Sequence, residues 1–128
     1  MDHWKGTEGE HYPEVAKVAK DKFLERFKEE ISNGKIVVEE GDLRNPIFKG
    51  HLYERYHNGL DVVFIDADHR FDPLVDDIVL ATSLLKYNGL LCGHDFGKAS
   101  HPYVRRAVER MFGKGNYEVV CGSLWRRK

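Results

Sequence analysis

The chain has 128 residues, of which 41% are apolar and 32% charged, and its formal net charge is −1. This length suits one small globular domain with its own core, so we predict a single domain over residues 1–128. The balanced charge excludes a general attraction to nucleic acids or membrane surfaces. No apolar run approaches the roughly 18–20 residues of a membrane span, and the first residues lack the apolar segment of a secretory signal. We therefore expect a cytoplasmic protein that acts on a small molecule.

The first part of the chain predicts one helix and one strand. Pro13 suits the first position of a helix, where its missing N–H is not needed. Apolar residues then recur at helical spacing until Asn33-Gly34, where glycine can adopt the left-handed conformation that ends a helix. Ile36-Val37-Val38 predicts a short strand. Residues 43–59 are ambiguous, with a short helix over 51–56 as one interpretation.

The second part of the chain alternates apolar strands with amphipathic helices. Its predicted elements, in order, are a strand over 61–66, a helix that begins at Asp72-Pro73 and ends at Asn88-Gly89, a strand over 90–93, a helix from Pro102, and a hairpin of strands 117–121 and 124–127. This alternation predicts an α/β fold with a mainly parallel sheet, helices on its faces and a final antiparallel hairpin. Cys92 and Cys121 fall in predicted strands, and we expect two buried, reduced thiols.

Acid and imidazole groups follow two of these strands. Asp66 ends the first, and His94-Asp95 ends the second. Because ligands bind at the carboxyl ends of the strands in open α/β sheets, the sequence predicts a site there. Two carboxylates and one imidazole suit Mg²⁺, Mn²⁺ or another divalent ion. The alternative is that one aspartate caps a turn and the other pairs with an arginine.

Three further residues are candidates for chemistry. Asp68 and His69 lie just past the first strand and could accept a proton from a substrate, although Asp68 could equally cap a turn. Asp42 follows Gly41 and could bind an adenine amino group or a ribose hydroxyl, or belong to an ordinary turn. The remaining histidines show no ligand spacing and are interpreted as surface residues: His3, His11, His51, His57 and His101.

Three segments, residues 61–69, 84–96 and 104–108, resemble the class I S-adenosylmethionine-dependent methyltransferases. The group they are most similar to is the small-molecule O-methyltransferases of the macrocin and catechol types. The opening Asp2-His3-Trp4-Lys5-Gly6 is similar to the segment after that family's second strand. The resemblance implies a Rossmann-like mixed sheet and methyl transfer from S-adenosylmethionine to a hydroxyl of a small molecule or sugar.

The resemblance also implies roles for single residues. Asp66 matches the family's first metal-binding aspartate and lies near the cofactor, and His94 and Asp95 match the pair that completes the metal site. A histidine at position 94 departs from the family's usual acid. Asp42 matches the acidic position near the adenine of the cofactor, and Asp2 matches the acid that binds its ribose.

One family feature has no counterpart in the sequence. The glycine-rich loop after the first strand, which cradles the methionine part of the cofactor, is not matched, so we expect an N-terminally truncated methyltransferase fold. In the family's sheet the unmatched strands lie between those at Ile36 and Asp61. We expect the chain to be the C-terminal part of a longer enzyme, to close that gap directly, or to have the open sheet edge covered by a partner chain or a second copy.

Two other function classes fit parts of the sequence. Asp66-Ala67-Asp68 after an apolar strand matches the DxD pattern with which glycosyltransferases hold a metal and a nucleotide sugar. The second class is non-enzymatic: a remnant, or a subunit that binds a partner through its open sheet edge. It is favoured because the family's glycine-rich loop has no match in the sequence.

Overall fold

A computed structural model describes residues 13–128. The backbone forms two compact units, of which the first ends at Asp42 and the second comprises Leu43–Lys128. The interpretation of residues 1–128 as one domain stays a prediction. Within the described part of the chain, every helix is too short or too polar to cross a lipid bilayer.

The first unit contains helices α1, Pro13–Arg26, and α2, Lys28–Ser32. The predicted start at Pro13 is confirmed, and the predicted stop at Asn33-Gly34 is confirmed with Gly34 at a φ of 78°. The helices are almost continuous, because the N–H groups of Phe27 and Ile31 still bond to the carbonyls four residues earlier, at 3.0 and 2.9 Å. No side chain from 14 to 42 is fully buried, so this unit has no closed core among its described residues.

The predicted strand at Ile36-Val37-Val38 is wrong. These residues are irregular, and the four strands that the structure describes all lie at residue 60 or later. A strand needs a neighbour that pairs with its backbone groups, and an apolar run alone does not supply one. The apolar pattern predicted neither pairing nor full burial here, since Val37 is 54% exposed.

The second unit is a mixed α/β structure. Its elements are α3 (Pro46–Tyr56), β1 (Leu60–Ile65), α4 (Phe71–Leu84), β2 (Leu85–Gly93), α5 (Pro102–Phe112), β3 (Tyr117–Cys121) and β4 (Leu124–Arg127). The strand order is β1-β2-β4-β3, with β1 and β2 parallel and both pairs involving β4 antiparallel. The predicted fold class and final hairpin are confirmed, and the two strands that carry the site are neighbours.

Helix α4 differs from its predicted bounds at both ends. It begins at Phe71 after Arg70, whose carbonyl accepts the N–H of Leu74 at 3.1 Å, so Asp72 and Pro73 lie inside its first turn. It ends at Leu84 rather than at Asn88-Gly89, because N–H groups of the turn before β1 donate to its last carbonyls. The N–H groups of Asn58 and Gly59 donate to the carbonyls of Ser83 and Leu84, at 3.2 and 3.1 Å.

Strand β2 consequently begins five residues earlier than predicted. Leu85 pairs with Leu60, and the next pair is Leu90 with Val62, so residues 86–89 bulge out of the ladder. Helix α3 is also longer than the interpreted 51–56. It starts at Pro46, and the side chain of Asn45 caps it by accepting the N–H of Ile47 at 2.9 Å.

The core lies between the sheet and helices α4 and α5. Its buried members are Ile65, Leu74, Ile78, Ala81, Leu85, Leu91, Val104, Ala107, Val108 and Trp125. The inward face of α5 is formed by Val104, Ala107 and Val108. The expected burial of both thiols is wrong, because Cys92 is half-buried and Cys121 is exposed. Cys121 lies on β3, which is an edge strand of the sheet, next to the hairpin turn.

Candidate functional site

The candidate site lies where β1 and β2 end side by side. Ile65 pairs with Gly93, and the N–H of His94 donates to the carbonyl of Ile65 at 3.1 Å, which extends the parallel ladder by one bond. Gly93 is required at this point, because a Cβ there would lie 2.6 Å from that carbonyl oxygen and 2.7 Å from the Trp125 ring. The close packing fixes the positions from which the following polar side chains project.

Asp95 is the centre of the site. Its side chain is only 7% exposed, and its backbone adopts a φ of 65°, which is unusual for a residue with a side chain. Carboxylate oxygen Oδ2 lies 2.8 Å from Nε2 of His69. Oxygen Oδ1 lies 2.5 Å from Nζ of Lys98 and 2.9 Å from Nδ1 of His94. We call these four residues together with Asp66 the Asp95 cluster.

The electrostatics of the cluster keep Asp95 ionised. Burial alone would raise the pKa of its carboxyl group, because the charged form loses water. The close contact and positive charge of Lys98, together with the electrostatic effect of His69 and His94, outweigh burial and hold the pKa below the ordinary value of 3.8. A buried carboxylate therefore stands at the end of β2 with three nitrogen groups around it.

His94 connects Asp95 to a hydroxyl group. While Nδ1 of its ring faces Asp95, Nε2 lies 3.0 Å from the Oγ of Ser123, which is in the turn between β3 and β4. The backbone on both sides is fixed: Nε1 of Trp125 donates to the carbonyl of His94 at 3.2 Å, and the N–H of Phe96 donates to the carbonyl of Ser123 at 2.9 Å. The His94 side chain is 35% exposed, so a small molecule could reach it.

His69 has a different setting from His94. Both of its ring nitrogens are buried, and its ring stacks on that of His101 with the centroids 3.9 Å apart. The proton-accepting role predicted for His69 is therefore not supported in this conformation, because a substrate hydroxyl has no access to either nitrogen. The contact with Oδ2 of Asp95 indicates that His69 positions the carboxylate instead.

The sequence interpretation missed His101. It lies at the N-cap of α5, directly before Pro102, and not on an open surface. The predicted start of that helix already implied that residue 101 lies close to the carboxyl ends of the strands. This position could have identified His101 as a site residue from the sequence. Ligand atoms of His69, Asp95 and His101 lie within 4.8 Å of one another. However, nearly parallel stacked rings direct their in-plane lone pairs side by side, so a shared ion would require one ring to turn.

Asp68 was predicted either to accept a proton or to cap a turn, and in the structure it caps a turn. Its Oδ1 accepts the N–H of Arg70 at 2.9 Å, and the Arg70 guanidinium binds both carboxylate oxygens. The hydrogen bonds from the Arg70 side chain hold the pKa of Asp68 below its ordinary value. A carboxylate held in this way is a poor proton acceptor, and the DxD pattern does not offer two available acids.

The predicted metal ligands are brought together, but they do not fit a divalent ion well. Ligand atoms of Asp66, His94 and Asp95 lie within 4.8 Å of one another, and Asp66 is 51% exposed. Oδ1 of Asp95 already faces the Lys98 ammonium, and Oδ2 faces His69. An ion would also need a lone pair of His94, whose two nitrogens face Asp95 and Ser123. Metal assistance remains a sequence prediction from which we derive no step.

The structure describes only some of the residues that were predicted to contact the cofactor. Asp66 is at the carboxyl end of β1, where its carboxylate is open to a ligand. Asp42 is partly buried and belongs to the first unit, and Asp2 lies outside the described residues. Within the unit that carries the Asp95 cluster, Asp66 is thus the one predicted S-adenosylmethionine contact that the structure describes.

Comparison with known proteins places the fold. No protein-family model and no curated protein sequence matches the chain. A solved structure that is similar is the apo form of CalS11, a TDP-rhamnose 3'-O-methyltransferase of calicheamicin biosynthesis, with a TM-score of 0.65 and 13% identity. The match covers 99% of this chain and 56% of that one, so this chain spans little more than half the length of the enzyme. The resemblance to methyltransferases is thereby confirmed for the fold.

Proposed function

We propose that this chain is part of an S-adenosylmethionine-dependent O-methyltransferase, which transfers a methyl group to a hydroxyl of a small molecule or sugar. In this reaction, the chain would bind the acceptor molecule and take up the proton of its hydroxyl. The observation that carries the proposal is the pair of contacts that His94 makes, to Asp95 on one side and to the Ser123 hydroxyl on the other. The likeness in fold to a sugar O-methyltransferase supports the same reaction class. S-adenosylmethionine, when bound, supplies an electrophilic methyl group on its sulfonium.

The residues of the cluster would then handle the proton of the acceptor. The Ser123 Oγ lies 3.0 Å from Nε2 of His94, which is within the distance over which a general base can accept the proton of a hydroxyl. An acceptor that displaces the Ser123 hydroxyl could give its proton to Nε2. The buried Asp95 carboxylate, 2.9 Å from Nδ1, would stabilise the imidazolium that forms. His69 would hold the other oxygen of Asp95 and so keep the carboxylate oriented.

Binding and turnover test the proposal separately. Calorimetry with S-adenosylhomocysteine measures the cofactor site. Transfer of a labelled methyl group to a panel of hydroxyl compounds, beginning with nucleotide-linked deoxysugars, measures the reaction. His94→Gln is expected to lower the transfer rate by about 10²–10⁴-fold, which is typical for loss of a general base. His51→Gln is the matched control, because His51 is an exposed histidine of α3.

The other outcomes identify the competing functions. Binding of a nucleotide sugar without binding of S-adenosylhomocysteine would indicate a glycosyltransferase. A folded protein that binds neither ligand and transfers no methyl group would indicate a remnant or a partner-binding subunit. Full activity in His94→Gln would overturn the assignment of the proton acceptor even if methyl transfer itself is found.

A further inference from the structure

Lys98 lies in an unusual position for a surface lysine. Its backbone is turned back towards the cluster, because its N–H donates to the carbonyl of Asp95 at 3.4 Å and its own carbonyl accepts the N–H of His101 at 3.0 Å. Gly97 permits this turn with a φ of 77°. The turn brings Nζ of Lys98 to 2.5 Å from Oδ1 of a carboxylate that is almost fully buried.

Other lysine pairs of the described residues differ from this one. Lys20–Glu40, Lys49–Asp76 and Lys86–Asp61 all join an ammonium to a carboxylate that is about half exposed or more. Such pairs are weakened by water and contribute little. The Lys98–Asp95 pair lacks that screening on the carboxylate side, where the side chain is 7% exposed, so the attraction is stronger.

The ammonium also occupies the region that a metal ion would use. A divalent ion binds a carboxylate oxygen at about 2.0–2.6 Å, depending on the ion. The Lys98 nitrogen is already within this range of Oδ1, and His94 directs Nδ1 at the same oxygen from 2.9 Å. Both contacts are off the ideal hydrogen-bond direction, so the two groups act on this oxygen mainly through their charge. A divalent ion would have to displace the ammonium before it could bind this oxygen, and the other oxygen, Oδ2, already faces His69.

We propose that the Lys98 ammonium is the resident cation of the Asp95 cluster, and that it excludes a divalent ion from the ligand set Asp66, His94 and Asp95. The chain thus supplies from its own sequence the positive charge that a metal ion would otherwise bring. This inference concerns the cation alone, and its test needs no methyl transfer.

Binding of Mn²⁺, followed by electron paramagnetic resonance of the free ion, measures the exclusion directly. The wild-type protein is compared with Lys98→Met, Lys98→Gln, Asp95→Asn and the double variant Lys98→Met/Asp95→Asn. Lys86→Met is the matched control, because it removes an ammonium from the exposed Asp61 at a similar distance, 2.7 Å. Circular dichroism confirms that each variant is folded, and the lysine is partly exposed, so at least one of the two single variants is expected to fold.

The expected result is a single Mn²⁺ site in the Lys98 variants, with affinity on the order of tenfold or more above that of wild type, because a competing unit charge has been removed at contact distance. The double variant and Lys86→Met should resemble wild type. Two results would overturn the inference. One is a wild-type Mn²⁺ site that Asp95→Asn abolishes, and the other is a folded Lys98 variant that gains no Mn²⁺ binding.

Discussion

The two compact units differ in how their apolar residues are used. Residues 14–42 carry apolar side chains at helical spacing, yet none of these is fully buried, and Val15 and Val18 are at least half exposed. The second unit buries ten apolar residues between its sheet and two helices. A hydrophobic pattern therefore indicates which face of an element could be buried, whereas burial itself depends on the layer that covers it. The Asp95 cluster belongs to the unit that has such a core.

The largest expected effect comes from deleting core volume. Leu91→Ala on β2 removes a fully buried side chain and should lower the free energy of unfolding of the second unit by about 2–5 kcal/mol. Leu24→Ala on α1, which is only partly buried, should cost about 1 kcal/mol or less. Denaturant titrations followed by the fluorescence of buried Trp125, in a Trp4→Phe background, measure the first effect. Circular dichroism measures both. Equal losses would contradict the contrast between the units.

The next effect comes from adding volume under the site. Gly93→Ala places a methyl group against the Ile65 carbonyl and the Trp125 ring, and should destabilise by about 1–3 kcal/mol. Gly50→Ala is the matched control, because its new Cβ meets no atom within 4 Å and it lies in helix α3. That change should stabilise by roughly 0.5–1 kcal/mol. A neutral Gly93→Ala would show that the strands are not packed as described.

A smaller effect is expected at the cap of α3. Asn45→Ala removes the acceptor for the N–H of Ile47 and should cost about 1 kcal/mol. Asn45→Ser retains a capping oxygen and should remain close to wild type in the same denaturant titration. If both variants lose equal stability, the side chain acts through something other than the cap.

The smallest effect is the acid dependence that Asp95 contributes. Its pKa in the folded state lies below the ordinary value of 3.8, so the ionised carboxylate stabilises the fold above that value. This contribution is lost as the pH falls through the lower folded-state pKa. The stability of wild type should therefore fall more steeply below pH 3.8 than that of Asp95→Asn. Asp61→Asn, which removes an exposed carboxylate, is the matched control.

The sequence predicted the parts of this fold that depend on local pattern and strand adjacency. The apolar runs that end in Asp66 and His94 predicted two strands, and these are neighbours, as parallel strands joined by a helix commonly are. The hairpin of strands 117–121 and 124–127 was predicted as well, and its turn is where Ser123 meets His94.

Other features depend on contacts that no local pattern records. The end of α4 is decided by Asn58 and Gly59, which lie some 25 residues earlier in the chain. Arg70 binds the Asp68 carboxylate and so decides whether Asp68 can accept a proton. The turn that brings Lys98 against Asp95 decides whether the Asp95 carboxylate can bind another group. The sequence thus named most of the polar residues at the strand ends, but their roles depend on which nitrogen or oxygen each one faces.

Nitrogen-15 spectra of histidine-labelled protein test most directly whether Asp95 joins the two imidazoles of the site. The account predicts that Asp95→Asn at neutral pH shifts the ring resonances of both His69 and His94, while those of the exposed His51 and His57 stay in place. Unchanged resonances for both His69 and His94 in a folded Asp95→Asn variant would contradict it.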